Sequence, residues 1–197
     1  MNKSFSQSCE NNKQPILQVI QRIFQQSQKV WEIGSGTGQH ACYFANHLNH
    51  LTWQTTDREE NLAGINCWIE EAELNNLPKS VALNVNDEQW PCQSIDALFT
   101  ANTLHIMHWH EVEHFFAGLK KYLSADAIVC IYGPFNYQGQ FSSQSNKQFD
   151  QWLKTQDPAR GVRDFEAIEK LANNAGLTIK NDFEMPANNR ILVFQKS

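Results

Sequence analysis

Val30-Trp31-Glu32-Ile33-Gly34-Ser35-Gly36-Thr37-Gly38-Gln39-His40 sets a short apolar run and a carboxylate in front of glycine at three alternate positions, and a helical pattern follows. Such a stretch reads as a strand, a tight turn and a helix start, where open α/β sheets hold an anionic or nucleotide ligand. A dinucleotide fingerprint needs G-x-G-x-x-G, but here the third glycine arrives one residue early and Gln39 stands in its place. That spacing argues against an NAD reductase.

Outward from this turn, strands and helices alternate. Ile16, Leu17, Val19, Ile20, Ile23 and Phe24 keep helical spacing and Pro15 suits a first turn, so a leading helical segment, 1–28, precedes the sheet and lies over the site. Val30 to Ile33 is the first strand, and His40 to Leu48 is the helix after the glycine turn. Leu51 to Thr56 alternates β-branched and aromatic residues as the second strand, closed by Asp57. A helix over Glu59 to Leu74 gathers Leu62, Ile65, Trp68, Ile69 and Ala72 on one face and stops at Leu77-Pro78, and Val81 to Val85 is the third strand. Ile95 to Thr100 is the fourth. A helix from Trp109 to Tyr122 buries Val112, Phe115, Phe116 and Leu119, and Ala127 to Tyr132 is the fifth strand, ended by Gly133-Pro134. A polar stretch, Asn136 to Ser145, leads to a short helix carrying Phe149, Trp152 and Leu153, and Asp164 reads as the N-cap of a helix ending at Gly176. Leu177 to Phe183 and Ile191 to Gln195, joined by Pro186-Ala187-Asn188-Asn189, form an antiparallel pair. The alternation predicts an α/β, Rossmann-like fold: a mostly parallel sheet with an antiparallel C-terminal strand and helices on both faces.

The 197 residues suit one domain, 1–197, since domains run to about 100–200 residues. A formal net charge of -5 offers no generally basic surface for a phosphate backbone, so nucleic acid is disfavoured as a partner. Cys9, Cys42, Cys67, Cys92 and Cys130 form an odd, scattered set without a C-x-x-C pair, which reads as reduced thiols in a cytoplasmic protein. Met1 to Gln14 is polar, and the longest apolar run, Ala127 to Tyr132, is too short to span a bilayer, so no membrane role is expected. Oligomeric state leaves no mark in the sequence.

With its carboxylate two residues before the first glycine, E-x-G-x-G-x-G resembles motif I of the class I S-adenosylmethionine (SAM) methyltransferases. Six stretches together, EIGSGTGQHA (Glu32 to Ala41), NTLHIMHW (Asn102 to Trp109), YGPF (Tyr132 to Phe135), Asn146 to Asp150, GVRD (Gly161 to Asp164) and PANN (Pro186 to Asn189), resemble one family. It is the set of small methyltransferase-like proteins of domain of unknown function 938, which includes the methyltransferase-like 26 group. The resemblance implies a class I methyltransferase fold and SAM as cofactor, and supplies no acceptor. Two departures from the family pattern are Leu83-Asn84-Val85 in place of LDV and Asn11-Asn12 in place of Arg-Asn.

Under that resemblance Gly34, Ser35, Gly36, Thr37 and Gly38 form a cofactor loop whose free N–H groups face the SAM carboxylate. Glu32 orients the methionine amino group or is an edge carboxylate. Asp57, 23 residues beyond Gly34, accepts from both ribose hydroxyls or merely opens a turn. Asn84 and Val85 meet the adenine edge, where the Asn84 carbonyl accepts from the amino group. The acceptor pocket is expected from Asn102 and His105, Tyr132 and Asn136, then Arg163, Asn188 and Asn189. His105 is the candidate base, or a histidine that packs the turn. Tyr132 lies over the sulfonium as a cation–π partner or belongs to the core. Asn188 and Asn189 line the pocket or supply the positive φ values of a hairpin. The expected reaction is methyl transfer to a small molecule.

Two rivals stand beside that reading. A SAM-binding sensor or partner module without catalysis has the same fold, because function resides in the site. His110-Glu111-Val112-Glu113-His114 is a literal H-E-x-x-H, the zincin pattern for a zinc hydrolase through His110, Glu111 and His114. No third ligand follows it, and a solvated histidine pair explains it, so no metal site is expected.

Overall fold

Apolar side chains on both faces of a strand call for cover on both sides, and Val129-Cys130-Ile131-Tyr132 carries them, Val129 and Ile131 in one core cluster and Cys130 and Tyr132 in the other. In the computed structural model, which describes residues 3–197, the order is α1 (Gln7–Ile23), β1 (Lys29–Ile33), α2 (Gln39–His47), β2 (Thr52–Asp57), α3 (Glu59–Ala72), β3 (Val81–Ala82) and β4 (Ile95–Ala101). Then come α4 (Trp109–Tyr122), β5 (Leu123–Gly133), β6 (Phe135–Asn136), α5 (Gln144–Gln156), β7 (Arg163–Asp164), α6 (Phe165–Asn174), β8 (Leu177–Met185) and β9 (Asn189–Lys196). Residues 1 and 2 of the leading segment lie outside the described residues.

Seven strands form one sheet in the order β3-β2-β1-β4-β5-β9-β8, parallel from β3 to β5, with β9 antiparallel to both neighbours. On β5, Val129 and Ile131 pack with Val112, Phe115 and Ile168 of α4 and α6. Their neighbours Cys130 and Tyr132 pack with Ile20, Phe44 and Ile65 of α1, α2 and α3. Helices thus cover both faces, and the predicted α/β Rossmann-like architecture is the observed one. No helix of the described residues is long and apolar enough to cross a membrane. All five cysteines are unpaired.

Four local expectations need correction. Helix α1 begins at Gln7 and contains Pro15, instead of starting there. Ser6 caps it, its hydroxyl accepting from Cys9 N at 3.3 Å. Helical periodicity of apolar residues begins only at Ile16 because the two preceding turns face the cleft described below. The third strand is two residues long, not five: after Leu83 N bonds Asp57 O at 2.8 Å the chain folds into a turn, Asp87 N to Asn84 O at 3.0 Å. Strand β5 starts at Leu123, four residues early, because α4 runs straight into it. The polar stretch after β5 also hides a second small sheet, β6 with β7, which pairs Phe135 with Arg163 and Asn136 with Asp164.

Candidate functional site

The order of strands reverses between β1 and β4, and the sheet edge outside their carboxyl ends is where such folds bind ligands. Here that edge opens into a cleft of about 1040 Å³, at the upper end of the roughly 300–1,000 Å³ of small-molecule sites. Strand β9 runs antiparallel, so its first residue, Asn189, reaches the same edge as the last residues of β1, β2, β4 and β5.

The glycine turn forms the floor. Gly34 and Ser35 donate their N–H groups to Thr56 O at 3.0 Å each, and Gly36 N donates to Asp57 Oδ2 at 2.7 Å. Gly38, the N-cap of α2, donates to Ser35 O and packs on Ile65 outside the cleft. The free N–H groups expected here are therefore mostly engaged in holding the loop. Thr37 N alone in the loop makes no hydrogen bond among the described residues. Gly34 (φ 74°) and Gly36 (φ 58°) sit in the left-handed region. A Cβ on Gly34 would meet Thr103 Cγ2 at 2.8 Å, whereas one on Gly36 would meet nothing within 4 Å, because Gly36 faces the cleft.

Asp57 is 8% exposed and takes three donors: Gly36 N, Arg58 N at 2.8 Å and Asn61 Nδ2 at 2.7 Å. A carboxylate has about four acceptor positions, so room remains for one ligand hydroxyl and not for two. Glu32 does not line the cleft. It is 1% exposed, and its Oε2 accepts from Trp53 Nε1 at 3.1 Å and Ser35 Oγ at 3.0 Å. Burial, with Asp57 adding, pushes its carboxyl up to about 7. Glu32 thus supports the loop from behind. Asn84 and Val85 line the cleft where β3 ends, with the Asn84 Oδ1 accepting from Asn86 N at 3.0 Å.

Across the crossover, Asn102 (φ 57°), His105 and Tyr132 line the same cleft. Asn102 is fixed by its N–H bond to Tyr132 O at 2.9 Å. His105, 5% exposed, sets its ring edge-on to Phe149 at 5.1 Å. Burial, helped by the charge of Arg163, pulls His105 down to about 4, so its ring is neutral at physiological pH and a weak base. Tyr132 is 2% exposed, both a core residue and part of the cleft wall.

Of the expected acceptor pocket, Asn189 lines the cleft and three residues do not. Asn136 belongs to β6, where its Nδ2 reaches Val162 O and its Oδ1 is buried without a partner among the described residues. Arg163 binds backbone carbonyls instead, donating to Leu104 O at 3.0 Å and to Met107 O, and so braces the turn after β4. Asn188 packs on α5, Nδ2 to Ser145 Oγ at 3.1 Å. The positive φ values of that connection fall on Ala187 and Asn188, not on Asn189.

The sequence reading placed the leading segment over the site but named no residue of it as part of the site, and gave no role to a second wall. Ser6, Cys9, Asn11 and Asn12 of the α1 end form the first, latched by Gln39. His40 continues it, Nε2 to Asn12 Oδ1 at 2.6 Å, its ring pulled down to about 4 by burial. Asn146, Phe149 and Trp152 of α5 form the other, with Arg160 beyond them. Their signal was present in the Asn11-Asn12 departure from the family pattern and in the matching stretch Asn146 to Asp150, without a strand end to place them.

The model of the family described as "Protein of unknown function (DUF938)" matches residues 3–196. The chain belongs to the DUF938 family. Solved structures share its fold at low identity. An O-methyltransferase family 2 protein from Planctomyces limnophilus, in complex with apigenin, superposes with a TM-score of 0.82 at 13% identity, over 96% of this chain and 58% of that one. An O-methyltransferase family protein from Burkholderia thailandensis gives 0.80 at 15%, over 94% and 56%. PigF with SAH gives 0.79 at 12%, over 92% and 55%. This DUF938 chain spans a little over half the length of each.

The H-E-x-x-H stretch lies on α4, with His110 and His114 rings 5.9 Å apart. Glu111 is engaged as a helix cap, accepting from His108 N at 2.7 Å, and His114 Nδ1 lies 2.7 Å from Asn86 Oδ1. Among the described residues no group of three or more His, Cys, Asp or Glu side chains is placed to hold a metal ion.

Proposed function

We propose that this DUF938 protein transfers a methyl group from SAM to a small-molecule acceptor, and that within its family it stands with the methyltransferase-like 26 group. The observation that carries the reading is the glycine loop on the sheet's switch point, with Gly36 open to the cleft and bonded to Asp57. The site fits the cofactor: an open glycine backbone, one unbonded loop N–H at Thr37, one acceptor position left on Asp57, and Asn84 at the end of β3 beside an apolar Val85.

Bound SAM supplies an electrophilic methyl on a positively charged sulfur. The chain's part is to hold the methionine end against Gly34, Gly36 and Thr37, the ribose at Asp57 and the adenine at Asn84 and Val85. Asn102, His105 and Tyr132 orient the acceptor and, with α1 and α5, keep water out, so positioning supplies the rate. Similar folds in O-methyltransferases, one of them with apigenin, support a small-molecule acceptor over nucleic acid. The protein is read as cytoplasmic and as one domain.

Calorimetric titration with SAM tests the reading. Micromolar binding that Gly36→Arg abolishes is the expected result, and no binding to the wild type would sink it. Binding without formation of S-adenosylhomocysteine across an acceptor screen would leave the sensor reading in its place.

A further inference from the structure

The cleft continues past the cofactor site, beyond β4, and its far wall is aromatic. Phe149 and Trp152 of α5 stack with ring centroids 5.9 Å apart and planes 15° from parallel, and the His105 ring stands edge-on to Phe149. Trp152 is 56% exposed and Ile106, on the turn after β4 and lining the same cleft, is 44% exposed. Large apolar faces turned to water along a cleft mark a surface that a ligand covers, and parallel rings suit a flat one.

The same wall is cationic. Gly161 N donates to His105 O at 3.1 Å, which ties the chain after Arg160 to the turn that carries His105, and both residues line the cleft. Arg160 Nε is buried and makes no hydrogen bond among the described residues. Its nearest carboxylate, Asp157, is 3.7 Å away, and the facing oxygen is shared with His108 Nε2 at 2.7 Å. No carboxylate on this wall is available to receive an ammonium group. The two acids that line the cleft, Asp57 and Glu111, both hold backbone N–H groups elsewhere.

His105, the histidine that stands against Phe149, is a poor base as well. Four histidines line the cleft. His40 is bonded to Asn12. His108 is paired with Asp157 and takes part in the capping box that opens α4. His110 is exposed, its ring 5.9 Å from that of His114. His105 has no carboxylate behind it to steady a proton, the third group that catalytic histidines rely on. An acceptor bound against Phe149 suits this wall best if it arrives with its lone pair already unprotonated.

Resting on the methyl-transfer reading, we infer that the acceptor is a flat aromatic carboxylate, its ring against Phe149 and Trp152 and its anionic oxygens on Arg160, methylated there to an ester. In that step a carboxylate oxygen lone pair forms the bond to the methyl carbon. The bond from that carbon to the sulfonium sulfur breaks, and its electron pair stays on sulfur as a neutral thioether. No proton changes hands, so no base is needed.

The test titrates 2-naphthoate, 2-naphthol and 2-naphthylmethylamine into the protein saturated with S-adenosylhomocysteine, then looks for methyl ester by mass spectrometry with SAM. The expected order puts 2-naphthoate at least about tenfold tighter than either neutral or cationic analogue, a gap that Arg160→Gln removes. Trp152→Ala weakens 2-naphthoate and 2-naphthol alike, and both variants keep SAM affinity within about twofold of wild type. Equal binding of 2-naphthol and 2-naphthoate in the wild type, preference for the amine, or a gap that survives Arg160→Gln would overturn the inference with SAM binding intact. Failure of SAM itself to bind would be the separate failure of the methyl-transfer reading, and the inference would fall with it.

Discussion

Gly36 N donates to Asp57 Oδ2 at 2.7 Å, which fastens the glycine turn to the end of β2. The same carboxylate takes Arg58 N and Asn61 Nδ2, so one side chain fixes the loop and the start of α3. Asp57→Ala is expected to cost about 1.5–3 kcal/mol, the range for hydrogen bonds to a charged group. Urea denaturation measures the loss, and SAM titration of the folded variant is expected to show weakened binding. A fully stable variant with wild-type affinity would remove Asp57 from both roles.

Gly34 and Gly36 separate stability from binding. Both have positive φ, so alanine at either costs about 1 kcal/mol or more in backbone strain. Only at Gly34 does the new Cβ also run into a side chain, Thr103 Cγ2 at 2.8 Å. Gly34→Ala is therefore expected to lower the melting temperature more than Gly36→Ala. Gly36→Ala, whose methyl enters the cleft, is expected to lose more SAM affinity per degree of melting temperature. Reversal of that order in paired melting and titration experiments would contradict the cleft geometry.

Glu32 makes the fold sensitive to pH. Its carboxyl, at 4.5 when free, is raised to about 7 first by burial and then by the charge of Asp57, against the opposing bonds from Trp53 and Ser35. A group that holds its proton more tightly when folded adds stability below the free value and loses it as pH rises through about 7. The two values make that contribution about 3 kcal/mol. Glu32→Gln has no proton to lose. Its stability relative to wild type is expected to rise by about that amount between pH 4.5 and pH 8. A difference independent of pH in denaturation curves would show that folding leaves the Glu32 carboxyl at its free value.

Much of the sheet was legible because its strands are buried on both faces and read as short apolar runs between glycine or proline stops. Helix α4 ran from Trp109 to Tyr122 as its spacing predicted, and the glycine turn, Asp57 and Asn84 came together at one edge. Long-range placement was not legible. Nothing local says that Arg163 turns back to the carbonyls of Leu104 and Met107, 59 and 56 residues away in sequence. The polar first half of α1 carried no apolar period to mark where the helix starts, because Ser8, Cys9, Asn11 and Asn12 line the cleft. Asn136 and Asn188 are polar residues near strand ends, the feature that pocket residues share, yet each is spent on packing a connection.

The H-E-x-x-H stretch gives a metal-free expectation. Glu111 accepts from His108 N, so its carboxylate is placed to start a helix and not to activate water. Dialysis against a zinc chelator is expected to leave the melting temperature unchanged. Glu111→Ala is expected to cost about 1 kcal/mol, the value of a lost cap. A melting temperature that falls on chelation and recovers with zinc would reinstate the metal reading.

Gln39 is the residue that breaks the dinucleotide pattern, and the structure gives it work of its own. It is 3% exposed; its Oε1 accepts from Ser6 N at 2.6 Å and Thr37 Oγ1 at 3.1 Å, while its Nε2 donates to Glu10 Oε1 at 2.8 Å and Ser6 O at 3.4 Å. One side chain therefore ties the start of α1 to the loop that faces the cleft. Gln39→Ala is expected to cost about 2 kcal/mol, because several of these bonds are of the neutral kind worth about 0.5–1.5 kcal/mol each. The loss should be local. Ile16 and Ile20 anchor the second half of α1 in the core, whereas residues 6–12 are held by polar contacts, chiefly those of Gln39 with the His40–Asn12 bond beside them. Hydrogen exchange is expected to quicken in residues 6–12 and stay slow in 16–23, with SAM affinity falling as the wall loosens. Uniform exchange along α1, or exchange and affinity both unchanged, would show that the helix holds its place without Gln39.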